Sequence, residues 1–170
     1  VGELIRDAVL RGCRHFIVGI GGSATNDGGI GMLQALGFGM LAADGKQVPF
    51  GAIGLESLAA ITTAHVLPEL SEWTFRIACD VTNPLVGKIG CSCVFAPQKG
   101  ADAESVEIMD GYMKHYADIV ERSAEEKFDR YTKGAGAAGG LGYAFLMFLG
   151  GKLMPGLDIV LSETGLEADV

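Results

Sequence analysis

The sequence predicts an α/β fold, a layered and largely parallel sheet with flanking helices, with residues 1–170 forming one domain. Three observations carry that reading. Short apolar runs suited to strands, chiefly His15–Ile20 and Thr74–Cys79, alternate with segments of helical period. Hydrophobic residues make up 49% of the 170 and charged residues 20%, which suits a globular chain able to bury a core. The 26 glycines are mostly clustered and lack a third-position period, which marks tight turns and places where backbone approaches another group.

In chain order, Gly2–Arg11 reads as an amphipathic helix, with Leu4, Ile5, Ala8 and Val9 on one stripe and Gly12 as its stop. His15–Ile20 is a short, mainly apolar run and is expected to be a strand buried on both faces. A loop over Gly21–Asp27 leads to a helix over Gly28–Leu36 that stops at Gly37. Ala43-Asp44-Gly45-Lys46 is a turn signal, predicting a small hairpin between Phe38–Leu41 and Gln47–Val48. Ile61–Val66 and Thr74–Cys79 are expected strands. Over Ala103–Phe128 the apolar Val106, Met109, Met113, Tyr116 and Val120 recur at helical steps and read as core packing. Glu121, Glu125 and Glu126 read as a solvated face of the same helix. Gly134–Gly142 is a second glycine-rich loop, followed by an apolar helix over Tyr143–Leu149.

A net charge of −8 argues against an extended nucleic-acid surface, which needs a basic face. No apolar run reaches the length of a membrane span. Cys13, Cys79, Cys91 and Cys93 are too few and scattered for a disulfide framework and read as reduced thiols of a cytoplasmic protein. The Cys91-x-Cys93 pair lacks the spacing and neighbouring ligands of a zinc site. The chain opens on Val1 and stops at Glu167-Ala168-Asp169-Val170 without a terminal element, so both ends read as cut.

Four segments carry candidate chemistry. Gly21-Gly22-Ser23-Ala24-Thr25-Asn26-Asp27 follows a strand and precedes a helix. That places backbone N–H groups, three neutral donors and a helix N-terminus where ligands of open α/β sheets bind. Asp27 opposes a bare anion unless it holds Mg²⁺ or accepts a hydroxyl proton; it is equally a favoured helix cap. Asp80 ends a strand, with Asn83 held extended before Pro84, although an Asx turn explains both. Phe95-Ala96-Pro97-Gln98-Lys99-Gly100 offers an amide and an ammonium group. Gly134-Ala135-Gly136-Ala137-Ala138-Gly139-Gly140 presents bare backbone that either packs against another element or cradles a ligand. Gly19-Ile20-Gly21-Gly22-Ser23-Ala24 fits a dinucleotide pattern, but the helix does not open at once. A serine-hydrolase elbow fails at Thr25, and no Gly-Lys pair has the rest of a P-loop.

GIGGSATNDGG, ACDVTNPLVG, APQKGA and GAGAAGGLGYAFLMFLG, in this order, closely resemble the bacterial type I glycerate kinases. The resemblance covers nearly the whole chain, including Gly2-Glu3-Leu4-Ile5 and Gly156-Leu157-Asp158-Ile159-Val160. It implies a two-domain α/β enzyme, with its site in the interdomain cleft, that transfers phosphate from ATP with Mg²⁺ to the 2-hydroxyl of D-glycerate. The family's acidic D-G-G-E-G-T segment and its later G-E-G-R-x-D segment are absent, so the chain reads as an internal domain of a longer enzyme.

The implied partners are D-glycerate and the remaining domain, with room for a homodimer. Within that resemblance Gly21, Gly22, Ser23, Thr25 and Asn26 are expected to donate to a substrate anion, Asn83 to line the site and Lys99 to neutralise charge. Asp27 and Asp80 are the catalytic candidates, either of them to hold Mg²⁺ or to accept the hydroxyl proton, while Gly136, Gly139 and Gly140 are expected to permit close backbone approach. The rival readings are a non-catalytic anion-binding domain and a dinucleotide-dependent oxidoreductase.

Overall fold

The computed structural model describes residues 1–123 and 128–166. Helix α1 (Gly2–Leu10) leads to strand β1 (His15–Gly19), helix α2 (Ile30–Ala35) and strand β2 (Gly39–Ala42). Helix α3 (Ile53–Glu56), β3 (Leu58–Thr62) and β4 (Thr74–Ala78) follow. Next come α4 (Cys91–Phe95), α5 (Ala103–Ser123), α6 (Ala137–Phe148), β5 (Lys152–Met154) and α7 (Gly156–Thr164). The parallel sheet is β1-β4-β5, with His15 opposite Thr74 and Arg76 opposite Lys152. A separate antiparallel ribbon pairs β2 with β3.

Strand β1 alternates rather than being buried on both faces. Phe16 and Val18 turn inward, whereas Ile17 is 50% exposed. The inward side stacks Phe16 on Phe75, ring centroids 4.9 Å apart, and Phe75 meets Phe145 of α6 at 5.5 Å. Full burial of a residue such as Phe145 contributes about 2 to 3 kcal/mol. On the other side α7 covers β4, where Arg76 pairs with Glu163. Helix α1 buries Ile5 and Val9 but leaves Leu4 76% exposed, so the apolar stripe is narrower than its sequence suggests.

The turn at Ala43–Lys46 forms, yet Phe38–Leu41 and Gln47–Val48 share only a single Leu41–Gln47 bridge. The true strand partner of this segment is β3, which lies earlier than the expected Ile61–Val66. Helix α5 buries Met113, Tyr116 and Val120 as its period predicts. Glu121 is not a solvated acid: it accepts from Arg130 Nε at 3.0 Å and from the Tyr143 hydroxyl at 3.2 Å. Glu125, Glu126 and residues 167–170 lie outside the described residues. Strand β5 and helices α3, α4 and α7 had no sequence expectation; all are short, and their periodic signal is weak.

All three parallel strands end on one edge. The Gly21–Asp27 loop leaves β1 there, Asp80 follows β4, and α7 opens at Gly156 just after β5. The Asp80 carboxylate accepts the Gly156 N–H at 3.0 Å, so an acid caps the dipole of α7. Among the described residues no helix is long and apolar enough to cross a membrane.

Candidate functional site

Gly21 and Gly22 lie exposed at the carboxyl edge, and a Cβ added at either would meet nothing within 4 Å. Their backbone therefore stays open to a ligand. Lys99 reaches this loop from a short 3-10 turn, Pro97–Lys99, that extends α4. Its ammonium donates to Ser23 Oγ at 2.9 Å and also to the Thr25 carbonyl. Burial lowers the Lys99 pKa from its ordinary value, an effect opposed by Cys91 and Asp27. Burial also pushes the Cys91 thiol up to about 12. That thiol is neutral near pH 7, so Asp27 is the anion that favours charged Lys99.

Two clefts share Lys99 as a wall. The first, about 420 Å³, lies beyond the ends of β1 and β4 and is lined by Gly21–Ser23, Asp80, Gln98 and Lys99, with Ile20, Val81 and Phe95 as apolar walls. The second, about 450 Å³, takes Thr25–Asp27 and Lys99 on one side and Ser105 and Met109 of α5 on the other. The loop that reads as one row of donors is thus divided between two cavities. Ser105 and Met109 went unrecognised as site residues because both lie on a helix whose period signals packing. Gln98 was visible as the amide beside Lys99.

Asp27 is only 7% exposed. Its Oδ1 accepts the Gly29 N–H at 3.0 Å and its Oδ2 the Gly31 N–H at 3.4 Å. It caps the start of α2 and also lines the second cleft. Asn26 donates from Nδ2 to Ser92 Oγ at 3.0 Å, while its Oδ1 is buried without a partner. Asn83 lines neither cleft: its amide donates to the Ile89 carbonyl at 2.8 Å, and its own carbonyl accepts the Gly136 N–H at 2.9 Å.

In the second glycine segment the space that a side chain would take is filled by the protein's own backbone. A Cβ at Gly136 would lie 2.1 Å from the Pro84 oxygen, and one at Gly139 would lie 2.1 Å from the Thr25 oxygen. One at Gly140 would lie 2.7 Å from Gly28 Cα. The Gly28 N–H donates to the Gly139 carbonyl at 2.9 Å, which joins the two glycine loops. Ala138, Gly139 and Gly140 run left-handed with φ of 54°, 68° and 92°, interrupting α6. It is Ala137 and Ala138, not these glycines, that face the first cleft. Among the described residues no three His, Cys, Asp or Glu side chains gather as a metal site; Cys91 is a buried and Cys93 a half-buried free thiol.

A parallel sheet with an open glycine loop, a lysine and two acids at its carboxyl edge defines an α/β protein with its clefts where ligands of such folds bind. The chain matches the model of the glycerate kinase family over residues 1–170. It belongs to the glycerate kinase family. It is 44% identical to the glycerate 2-kinase of Escherichia coli (strain K12) over 169 residues, which is 99% of this chain and 44% of that protein. It is 45% identical to the glycerate kinase of Bacillus subtilis (strain 168), with the same coverage of each. A crystal structure assigned to glycerate kinase 2 of Salmonella typhimurium LT2 superposes with a TM-score of 0.93 at 48% identity, over 98% of this chain and 44% of that one. The chain therefore spans under half the length of these relatives.

Proposed function

We propose that residues 1–170 are the internal α/β domain of a cytoplasmic enzyme that phosphorylates D-glycerate to 2-phosphoglycerate with ATP. The observation that carries this reading is Lys99, whose ammonium stands between two clefts at the edge of a glycerate-kinase-family fold. Phosphoryl transfer asks a protein mainly for positioning and charge neutralisation. Gly21 and Gly22 supply open backbone, Ser23 and Thr25 fix Lys99, and Lys99 faces the transferring charge. Lysine carries three N–H donors; two are used on Ser23 and Thr25, leaving one for a phosphoryl oxygen.

Asp80 fits Mg²⁺ in the usual nucleotide manner, with one carboxylate and the remaining ligands from phosphates and water. One of its oxygens is engaged by Gly156, which leaves the other available. Bound there, Mg²⁺ would offset phosphate charge. Asp27 would accept the glycerate hydroxyl proton.

The 44% share of its relatives' length favours a second reading for the 170 residues alone, an anion-binding domain without catalysis. An ATP-coupled assay with D-glycerate on the chain and on the intact enzyme tests both. Phosphoglycerate is expected from the intact enzyme only. None from either would sink the kinase reading, and product from the chain alone would show that the domain is self-sufficient. Loop chemistry already disfavours a dinucleotide oxidoreductase, and no glycerate-dependent change in nicotinamide absorbance is expected.

A further inference from the structure

Lys99 partitions one loop between two cavities of different chemistry. On the first side, beyond β1 and β4, stand Gly21–Ser23 and Asp80, backed by Ile20, Val81 and Phe95. On the second stand Asn26, Asp27 and Ser105, with small residues such as Gly51 and Ala52 completing the wall. One residue that lines the second cleft, Asn26, is incompletely satisfied. Asn26 spends its Nδ2 on Ser92 Oγ and the Met109 sulfur, at 3.0 and 3.3 Å, and leaves Oδ1 buried and unpartnered. Such an orphan acceptor is costly to keep buried.

Resting on the kinase reading, we propose that the hydroxy acid occupies the Asn26 cleft, with the phosphate end of the nucleotide in the Asp80 cleft and transfer taking place across Lys99. Three physical arguments support this division. A general base must lie within reach of the hydroxyl it deprotonates, and Asp27 lines the Asn26 cleft only. A three-carbon acid with two hydroxyls needs one cation and a few neutral polar groups, which Lys99, Asn26 and Ser105 provide. The buried charge of Asp27 repels polyphosphate at contact range, and so turns the nucleotide to the other side.

The step then balances. The glycerate oxygen bonds to the γ-phosphorus, and the bond from that phosphorus to the bridging oxygen breaks. The electron pair leaves with the diphosphate, and the hydroxyl proton passes to Asp27. Each Asp27 oxygen gives one lone pair to a backbone N–H, of Gly29 or Gly31, and keeps another for that proton.

The test is a split of Michaelis constants in the intact enzyme. Ser105→Leu fills the Asn26 cleft from helix α5, where Leu is a better helix former than Ser. It should raise the KM for D-glycerate about tenfold or more while leaving that for ATP within about twofold. Gln98→Leu, in the other cleft, should do the reverse. Thermal unfolding checks each fold, and Ser105→Ala, expected to raise the glycerate KM about threefold, replaces the leucine variant if that fails to fold. The reverse pattern, or equal movement of both constants in a folded variant, overturns the division while leaving the kinase reading intact. A wild-type enzyme that does not phosphorylate glycerate removes the reading on which the division rests.

Discussion

The two glycine-rich segments look interchangeable in composition and do opposite things. At Gly21 and Gly22 an added Cβ meets open space; at Gly136, Gly139 and Gly140 it meets other residues at 2.1 to 2.7 Å, backbone in each case. In the first segment the missing side chain exposes peptide to a cleft. In the second it lets chain around Thr25, Gly28 and Pro84 approach closely, and the Gly28 and Gly136 N–H groups donate to the Gly139 and Asn83 carbonyls. Glycine content thus signals close approach without saying whether a ligand or the protein itself is the neighbour. The second segment still shapes the site, because it clamps the back of the loop whose front is open.

The largest expected effect tests that contrast directly. Gly139→Ala forces a Cβ onto the Thr25 oxygen at φ 68°, adding overpacking to left-handed strain for about 3 to 5 kcal/mol of lost stability. Gly21→Ala should change stability by less than about 1 kcal/mol. Chemical denaturation of the two variants decides the matter, and equal losses would erase the distinction between the segments.

Within the open segment, Asp27→Asn should retain the fold, since Asn caps about as well as Asp. It should nonetheless lower kcat by about 10² to 10⁴, the usual range for a lost general base. An unchanged kcat at saturating substrate would leave Asp27 as a cap alone and make the first segment as structural as the second.

Lys99→Met should lower kcat/KM about a hundredfold, as the loss of one charge-stabilising donor does. The same lysine predicts a pH limb. Its positive charge is present below its pKa and lost above it, and burial has lowered that pKa. Anion affinity should therefore fall with rising pH before the ordinary lysine range is reached. For folding the sign is opposite: the depressed pKa is a cost at neutral pH that eases as the group deprotonates. Lys99→Arg should remove the alkaline fall in anion affinity, which titration calorimetry with phosphate at stepped pH would detect.

The smallest effect is a gain. Ala138 is the one non-glycine residue among those described with positive φ, at 54°. Ala138→Gly should relieve about 1 kcal/mol and raise Tm by about 2 to 4 °C in a scanning experiment. A drop in Tm would show that the methyl group packs better than its strained backbone costs.

The sequence alone determined the alternation of strands and helices, the apolar stripe of α5, the stop at Gly12 and the position of the first glycine loop after a strand. These are short-range properties, set by period, propensity and turn chemistry over a few residues. The family likewise followed from motif order. Tertiary structure decided the rest. Strand β1 looked buried on both faces because every residue of His15–Ile20 is compatible with burial, but only the packing of other elements determines which face is covered. Asn83 looked available until Ile89 and Gly136 engaged it. Lys99 and Ser23 are separated by 76 positions, and nothing local in either segment announces that they meet. Their meeting divides one loop into two clefts, because the place where an ammonium group lands depends on how α4, α5 and α6 pack around it, and packing is a property of the whole chain.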